Sequence, residues 1–424
     1  MVEGLNDEIQ KLRRAVEELS ILNEISVAIS STMGVEKMTE LILKRSTKHI
    51  RAEQGAICLV SGKNETAPLK TYVRTLNSTF HGVPYHFGMS LTGWMLKNQK
   101  PLLINDLSKD ERFIGIEKES TEIKSLLAVP LKLKNKMIGV LCLFNKKDNS
   151  DFTQDDLKLL SIIGIQSVQT LENARLYEEE RKLIALEEDL RTARFIQQSL
   201  LPKSNPIIEG IEIFGLSISA RQVGGDYYDF IQIDDSHLGI AIADVSGKGT
   251  SAALLMANLQ ASLRGQALIN RSVKDTVTKT NFMLSKFMDM GKFITLFYGI
   301  LDLQAKTFTY TNAGHNFPFL LDRVGNLKNL EKGGIILGIS DNSVYEEDTV
   351  QLKSGDLILL YTDGITEATN EKEEMFEEER LLRLLKDNQE ISAQNLSQKI
   401  VDDVLSFQGT QPQGDDITLV LVKT

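Results

Sequence analysis

The stretch ADVSGKGTSAALLMA, residues 243–257, passes from an apolar strand-like run into a helix-like run and so predicts a strand-to-helix junction. One carboxylate, Asp244, stands at this junction and is followed by Gly247, Lys248 and Gly249. The spacing is not that of a Walker loop, which requires G-x-x-x-x-G-K-[ST]. The glycines are therefore weak support for a phosphate cradle, and a helix entry with a solvated Lys248 is the alternative.

Other aspartates occupy the same kind of position, where an apolar run begins or ends next to glycine. Asp226 lies in VGGDYYDF, Asp363 in LLYTDGITEA, and Asp415 with Asp416 in PQGDDITLVLV. Because buried carboxylates are costly unless they are paired or bind metal, these positions and Asp244 favour one convergent site of oxygen ligands. Such ligands prefer Mg²⁺ or Mn²⁺ to Zn²⁺, and two such ions can activate water and clamp a phosphoryl group. The alternative for each aspartate is a turn or helix cap.

Composition excludes several classes of protein. The chain has 424 residues and a formal net charge of −10, which argues against nucleic-acid binding. Its two cysteines, Cys58 and Cys142, lie in apolar runs and predict neither a disulfide framework nor a zinc site. The charged N-terminus is not a signal peptide, and the apolar runs are too short for a membrane span. We therefore expect a cytoplasmic protein that binds neither membrane nor nucleic acid.

The patterns divide the chain into four segments. Residues 1–19 carry a short heptad seam, which predicts either a coiled coil or a helix packed on its own domain. Residues 20–154 contain strand-like runs with short helices, and residues 155–201 are helical throughout. Residues 202–424 have strands at both ends and helices between them. We expect an α+β protein whose last segment packs sheet on sheet with helices outside.

The helical segment 155–201 has the features of a dimeric coiled coil. Its a/d seam consists of Leu183, Leu186, Leu190, Ala193 and Leu200, with Gln197 as the polar member. Pro202 ends the helix, and the segment contains no Gly/Ser-rich run that would make it a flexible linker. We predict a rigid homodimeric rod.

Six ordered motifs resemble one family. VGGDYYDF, ADVSGKGTSAALLMA, NAGHNFP, LGI, YTDGITEA and GDDITLVLV are similar to motifs of the bacterial metal-dependent protein phosphatases of sporulation and stress signalling, the PPM or protein phosphatase 2C-like family. The resemblance covers roughly residues 195 to 424. It implies an α-β-β-α sandwich with two Mn²⁺ or Mg²⁺ ions between the sheets. It also implies a metal-bridging water as the nucleophile, without a phosphoenzyme.

The resemblance also implies the site residues. The metal aspartates correspond to Asp226, Asp244, Asp363 and Asp415, and Val245 would contribute its backbone carbonyl. Asp416 is expected to support these ligands rather than bind metal.

The residue that grips phosphate is not identified by the motifs. Arg221 and Lys248 are the candidates. His315, in NAGHN, lies where eukaryotic relatives carry an acidic Gly-Asp dipeptide, so it would support the site or act as an acid. The alternative is a hydrogen-bonded structural histidine.

Residues 20 to 175 resemble a GAF domain, a sensor or dimerisation module with an antiparallel sheet and helices. TGWMLKNQKPLLIND, LLAVPLKLKNKMIGVLCLFNK and FTQDDLKLL carry this resemblance, and they leave the ligand open. NK at 145–146 followed by FTQDD approximates the pattern of cyclic-nucleotide-binding members, although Leu157 stands where that pattern has Glu. Haem bound by histidine is a further alternative; the candidates are His49, His81 and His86.

Together these features predict a phosphoserine/phosphothreonine protein phosphatase controlled by a GAF sensor through the rod. In this family branch the usual substrate is a phosphorylated anti-sigma-factor antagonist with a STAS-type fold, in a partner-switching pathway. The partner kinase is expected to be a separate protein, since the chain ends after its last strand. The main alternative is a catalytically dead phosphatase fold that serves as a ligand-sensing dimeric scaffold. A nucleotide-processing enzyme is disfavoured, because the sequence has no P-loop or Rossmann fingerprint.

Overall fold

The computed structural model describes residues 34–60, 69–75, 85–113, 123–134, 136–288 and 291–424. The chain divides into two compact units between Ala185 and Leu186. The helix predicted over residues 1–19 lies outside the described residues.

The helices and strands of the described residues are numbered in chain order. The helices are α1 (Val35–Ile50), α2 (Tyr85–Asn98), α3 (Gln154–Leu200), α4 (Thr250–Ile269), α5 (Val273–Ser285), α6 (Asp363–Thr366), α7 (Glu377–Asp387) and α8 (Ala393–Gln408). The strands of the first unit are β1 (Ala52–Val60), β2 (Leu69–Thr75), β3 (Leu102–Ile104), β4 (Leu126–Leu133) and β5 (Lys136–Lys146). Those of the second unit are β6 (Ile207–Ile208), β7 (Ile211–Ile218), β8 (Tyr227–Asp234), β9 (His237–Val245), β10 (Ile294–Asp302), β11 (Thr307–Ala313), β12 (Phe319–Leu321), β13 (Leu327–Asn329), β14 (Gly333–Gly334), β15 (Asp348–Gln351), β16 (Leu357–Tyr361) and β17 (Ile417–Lys423).

The first unit is built on an antiparallel sheet with the strand order β2-β1-β5-β4-β3. On one face, Leu43 of α1 and Leu160 of α3 pack with the sheet in a shared apolar core. On the other face, Leu91 and Met95 of α2 join a second core with Val140 of β5. The expected antiparallel sheet with helices is confirmed.

Two motif residues of this unit hold its segments together. The side chain of Asn105, in the LLIND motif, donates to the Phe152 carbonyl at 3.1 Å and accepts from the Phe152 N–H at 2.8 Å. Lys146, of the NK pair, forms an ion pair with Asp156 of FTQDD. These contacts therefore fasten the end of β3 to the segment that leads into α3, and the end of β5 to the first turn of α3.

The histidines considered for haem are placed only in part. His49 is exposed on α1. His81 lies outside the described residues, and so does the side chain of His86.

Helix α3 extends over 47 residues from a capped start. The Asp156 carboxylate accepts from the Thr153 N–H at 2.7 Å, and the Thr153 hydroxyl accepts from the Asp156 N–H at 3.2 Å, a reciprocal cap at the N-terminus. The helix ends just before Pro202, whose ring cannot continue it. The seam residues Leu183 and Leu186 are exposed in the single chain, at 61% and 55%.

The second unit is a sandwich of two mainly antiparallel sheets. One has the order β14-β11-β10-β9-β8 with β15 beside β11, and the other has the order β13-β12-β16-β17-β7-β6. Tyr228, Ile240 and Phe297 of the first sheet form one core with Leu360 and Val420 of the second. Helices α4 and α5 cover the outer face of the first sheet, and α7 and α8 cover that of the second. The expected α-β-β-α architecture is confirmed.

Alternation along the strands directs the acidic side chains into the space between the sheets. In β9, Ile240 and Ile242 face the opposite sheet, whereas Ala241 and Ala243 face α4. Because side chains alternate along a strand, Asp244 continues the row of Ile240 and Ile242. The strand therefore ends with a carboxylate at the rim of the inter-sheet core.

Candidate metal centre

Five aspartates from four segments meet at one end of the sandwich. They lie just before β8, near the end of β9, at the start of α6 and just before β17; these are Asp226, Asp244, Asp363, Asp415 and Asp416. Their charges raise the pKa values of several members of the group. The carboxylates that the sequence singled out are thus brought into one electrostatic cluster.

Asp226 is the most deeply placed member of this cluster, with 5% of its surface exposed. Burial raises its pKa well above the ordinary value, and the charges of Asp244 and Asp416 raise it further. The Thr362 hydroxyl donates to Asp226 Oδ2 at 2.8 Å and accepts from the Thr418 N–H at 3.0 Å. Thr362 therefore fixes the direction of the Asp226 carboxylate from the opposite sheet.

Asp244 lies at the centre of the electrostatic cluster. Burial, and then the charges of Asp363, Asp415 and Asp416, raise its pKa to about 7. Burial also raises the pKa of Asp363, followed by the charges of Glu367 and Asp415. Buried like charges of this kind are unfavourable unless a cation joins them. An all-oxygen donor set suits Mg²⁺ or Mn²⁺, so these residues fit the ions that the family resemblance implies.

Asp416 differs from its neighbours because its oxygens are occupied by backbone donors. Oδ1 accepts from the Ala220 N–H at 2.8 Å, and Oδ2 accepts from the Gly225 N–H at 2.8 Å and the Asp226 N–H at 3.4 Å. A Cβ at Gly224 would lie 2.0 Å from Asp416 Oδ2, so the loop can approach only as glycine. These contacts suit the supporting role expected for Asp416.

The backbone of Val245 borders the same loop. Its carbonyl oxygen would lie 2.8 Å from a Cβ at Gly225, and Asp244 Oδ1 would lie 3.4 Å away. Gly225 thus leaves open the space in front of the Val245 carbonyl. In the quoted loop, Gly247 and Gly249 have φ of +99° and +80°, a left-handed conformation that turns the chain into α4.

Lys248 and Arg221, the candidates for phosphate binding, line one narrow cavity with Asp244 and Asp415. Lys248 Nζ lies 2.9 Å from Asp415 Oδ2 and donates to the Gly414 carbonyl at 2.7 Å. Arg221 is exposed. Among the described residues, no three acidic, histidine or cysteine side chains already have the spacing of metal ligands. The physical reason is that Asp415 is turned toward Lys248 and Asp416 toward backbone N–H groups.

His315 is buried and hydrogen-bonded to Thr295, whose hydroxyl also lies 3.4 Å from the backbone carbonyl of Asp244. Its Nδ1 lies 2.8 Å from the Thr295 hydroxyl, and its backbone N–H donates to Asn312 Oδ1 at 2.7 Å. Burial lowers its pKa to about 4, against a smaller opposite effect of the Tyr361 carbonyl. The imidazole is therefore neutral near pH 7, an arrangement that favours the structural alternative.

The sequence analysis did not identify two residues that contact the loop of Asp226. Thr362 could have been identified from the sequence, because it is the polar residue between an apolar run and Asp363. Gln197 was recognised as a polar seam residue, yet its side chain lies against Gly224 of the same unit.

No helix in the described part of the chain is long and apolar enough to cross a bilayer.

Sequence comparisons cover both units. The profile of the Stage II sporulation protein E (SpoIIE) family matches residues 234–424, and that of the GAF domain matches residues 32–172. The first match includes Asp244, Asp363 and Asp415 and begins after Asp226.

Individual relatives extend the comparison. Phosphoserine phosphatase RsbU of Bacillus subtilis is 32% identical over 252 residues, which are 58% of this chain and 74% of RsbU. Protein IcfG of Synechocystis is 30% identical over 261 residues, which are 55% of this chain and 41% of IcfG. The solved SiaA-PP2C domain of Pseudomonas aeruginosa matches with a TM-score of 0.51 at 20% identity, over 57% of this chain and 98% of that domain. This last likeness is one of fold.

Proposed function

Because this chain belongs to the SpoIIE family of phosphatases, we propose that its second unit hydrolyses phosphoserine or phosphothreonine in a protein substrate with the help of two Mn²⁺ or Mg²⁺ ions. The observation that carries the proposal is the cluster of buried and half-buried carboxylates around Asp244; burial and the neighbouring charges raise the pKa of Asp244 to about 7. A protein that keeps such mutually repelling charges together needs a cation to compensate them.

We propose that Asp226, Asp244, Asp363 and Asp415 hold the ions, together with the backbone carbonyl of Val245. When bound, the ions would lower the pKa of water and neutralise charge on the phosphoryl group.

The surrounding residues position the ligands. Asp416 ties the loop before β8 to the start of β17 by accepting three backbone N–H groups. Thr362 orients the Asp226 carboxylate. Lys248 and Arg221 border the cavity as the cations that could meet a phosphate.

The proposed substrate is a phosphorylated STAS-type anti-sigma-factor antagonist in a partner-switching pathway of the cytoplasm. Support comes from the similarity to RsbU, whose name records a phosphoserine phosphatase. The acidic chain needs local cations to receive a phosphorylated protein, and Lys248 and Arg221 supply them beside the cluster.

We further propose that the enzyme is a homodimer controlled by its GAF domain through α3. Leu183 and Leu186 are exposed in the single chain and continue a heptad pattern, so a second copy of α3 is the partner that this stripe fits.

The test is phosphate release from p-nitrophenyl phosphate and from a phosphoserine peptide by the full-length protein. We expect activity with Mn²⁺, none with chelator and none in Asp244→Asn. The matched control is Asp235→Asn, because Asp235 is exposed in the turn between β8 and β9. Activity that survives the chelator would overturn the metal proposal. A wild type that binds Mn²⁺ but releases no phosphate from either substrate would favour the dead-scaffold alternative.

A further inference from the structure

The last turns of α3 contain one residue that is buried where its neighbours are not. Gln197 is 8% exposed, whereas Phe195 and Ile196 are 75% and 57% exposed. Leu201, directly after the helix, packs against the cores of the sandwich. The end of α3 is therefore anchored on the second unit, with the Gln197 side chain turned inward.

The carboxamide of Gln197 makes two hydrogen bonds to a single residue. Its Nε2 donates to the Gly224 carbonyl at 2.7 Å, and its Oε1 accepts from the Gly224 N–H at 3.1 Å. Both backbone groups of Gly224 are thus satisfied by one side chain. Buried backbone groups need hydrogen-bond partners. Gln197 supplies the donor and the acceptor that a neighbouring strand would supply within a sheet.

Gly224 is a sensitive point of the site because it lies two residues before Asp226. The next two N–H groups, of Gly225 and Asp226, donate to Asp416 Oδ2. A Cβ at Gly224 would meet Asp416 Oδ2 at 2.0 Å, so the loop is held closely on that side. Gln197 and Asp416 therefore hold consecutive residues of this loop by hydrogen bonds to their backbone groups.

We propose that Gln197 is a positioning residue that sets the loop of Asp226 and thereby makes cation binding depend on the position of the end of α3. This inference rests on the proposed function. Successive side chains of an α-helix point in directions about 100° apart around its axis. If the end of α3 rotated by this angle, a neighbouring side chain would take the place of the Gln197 carboxamide. Gln197 bonds both backbone groups of Gly224, whereas Gln198, at the next position, is exposed on the helix surface.

The experiment compares full-length Gln197→Met with Gln198→Met, which changes an exposed glutamine at the adjacent position. Methionine keeps the length of the side chain and removes both hydrogen bonds. The measurements are the Mn²⁺ dissociation constant by titration calorimetry, kcat and KM for p-nitrophenyl phosphate, and Tm.

We expect Gln197→Met to weaken Mn²⁺ binding by at least about tenfold, as loss of a residue that orients metal ligands does. Its kcat at limiting Mn²⁺ should fall and be partly restored by excess Mn²⁺, while KM changes little. Gln198→Met should match the wild type. Gln197→Asn keeps an uncharged carboxamide on a side chain one methylene shorter, which weakens both hydrogen bonds without burying a charge, so its affinity should lie between those of wild type and Gln197→Met.

A lower Tm with an unchanged Mn²⁺ dissociation constant would overturn the inference, because that is the result of a purely structural role. If Gln197→Met does not fold, Gln197→Asn decides in the same way. A wild type that neither binds Mn²⁺ nor releases phosphate would instead refute the proposed function. A wild type that does both, beside an unaffected Gln197→Met, would refute this inference alone.

Discussion

The second unit contains two sets of carboxylates whose negative charge is compensated in different ways. One is the single residue Asp229, and the other is the aspartate cluster at the end of the sandwich. Asp229, in the middle of β8, is fully buried and receives Arg264 Nε at 2.6 Å and Nη2 at 2.7 Å. The Tyr227 hydroxyl and the Phe230 N–H also donate to it, at 2.6 Å and 2.8 Å. This charge is neutralised by the protein itself.

The carboxylates at the end of the sandwich have no arginine of this kind in the described contacts. Asp226 and Asp244 have raised pKa values because burial and neighbouring negative charges oppose their ionisation. The protein thus compensates Asp229 with Arg264, whereas under the proposed function the other group is compensated by a bound cation. The difference separates Asp229, a structural acid, from Asp226, a proposed metal ligand, although both occur in the same motif, VGGDYYDF.

The largest expected effect comes from removing the internal cation. Arg264→Ala leaves Asp229 buried and unpaired, so the free energy of unfolding should fall by about 3 kcal/mol, as for other broken buried ion pairs. Urea denaturation measures it. Arg271→Ala is the control, because Arg271 is 81% exposed and pairs with Asp234 at 3.4 Å; it should change stability by less than about 0.5 kcal/mol. Equal effects of the two variants would contradict the comparison.

At the proposed cation site, loss of a charge is expected to increase the free energy of unfolding rather than to decrease it. In chelator at pH 7.5, Asp244→Asn removes a repelled charge and should raise the free energy of unfolding by about 2 kcal/mol. The same variant is expected to be inactive, so it trades function for stability. Urea denaturation of both proteins in chelator measures the difference.

The pH dependence tests the same charge. The pKa of Asp244 is raised from 3.8 to about 7 in the folded protein. The folded state therefore holds the proton more tightly, and this stabilisation is complete below about pH 4 and lost as the pH rises through about 7. Chelated wild type should lose stability over this range more steeply than Asp244→Asn. Parallel curves would show that Asp244 is not strained in the folded state.

Sequence patterns predicted the parts of this comparison that depend on local order. Strand ends next to glycine identified Asp226, Asp244, Asp363 and the pair Asp415–Asp416, and the runs of strand and helix indicated sheet packed on sheet with helices outside. The choice of Asp415 over Asp416 came from the family resemblance. The role of Asp229 was not predicted, because its partner Arg264 lies 35 positions away on α4. The contact of Gln197 with Gly224 was not predicted either, because heptad spacing shows which residues share a helix face but not what packs against that face.

The smallest effect is expected at the ion pair on the rim of the cluster. Lys248 and Asp415 are 45% and 46% exposed and lie 2.9 Å apart. Exposed pairs of this kind contribute little, so Lys248→Ala should lower the free energy of unfolding by less than about 1 kcal/mol, and less again in high salt. Lys286→Ala is the matched control, because Lys286 and Asp341 are 51% and 42% exposed at 3.2 Å.

Cation binding should separate these two lysine variants, although their stabilities are similar. In Lys248→Ala the ammonium no longer competes for Asp415, so Mn²⁺ should bind up to about threefold more tightly, which corresponds to a weak exposed pair. Lys286→Ala should bind Mn²⁺ as the wild type does, since its pair lies outside the cluster. Calorimetric titration with Mn²⁺ measures both. A stability loss above about 2 kcal/mol in Lys248→Ala would mean that this pair, like Arg264 with Asp229, is a fixed part of the fold and that Asp415 is not free to bind a cation.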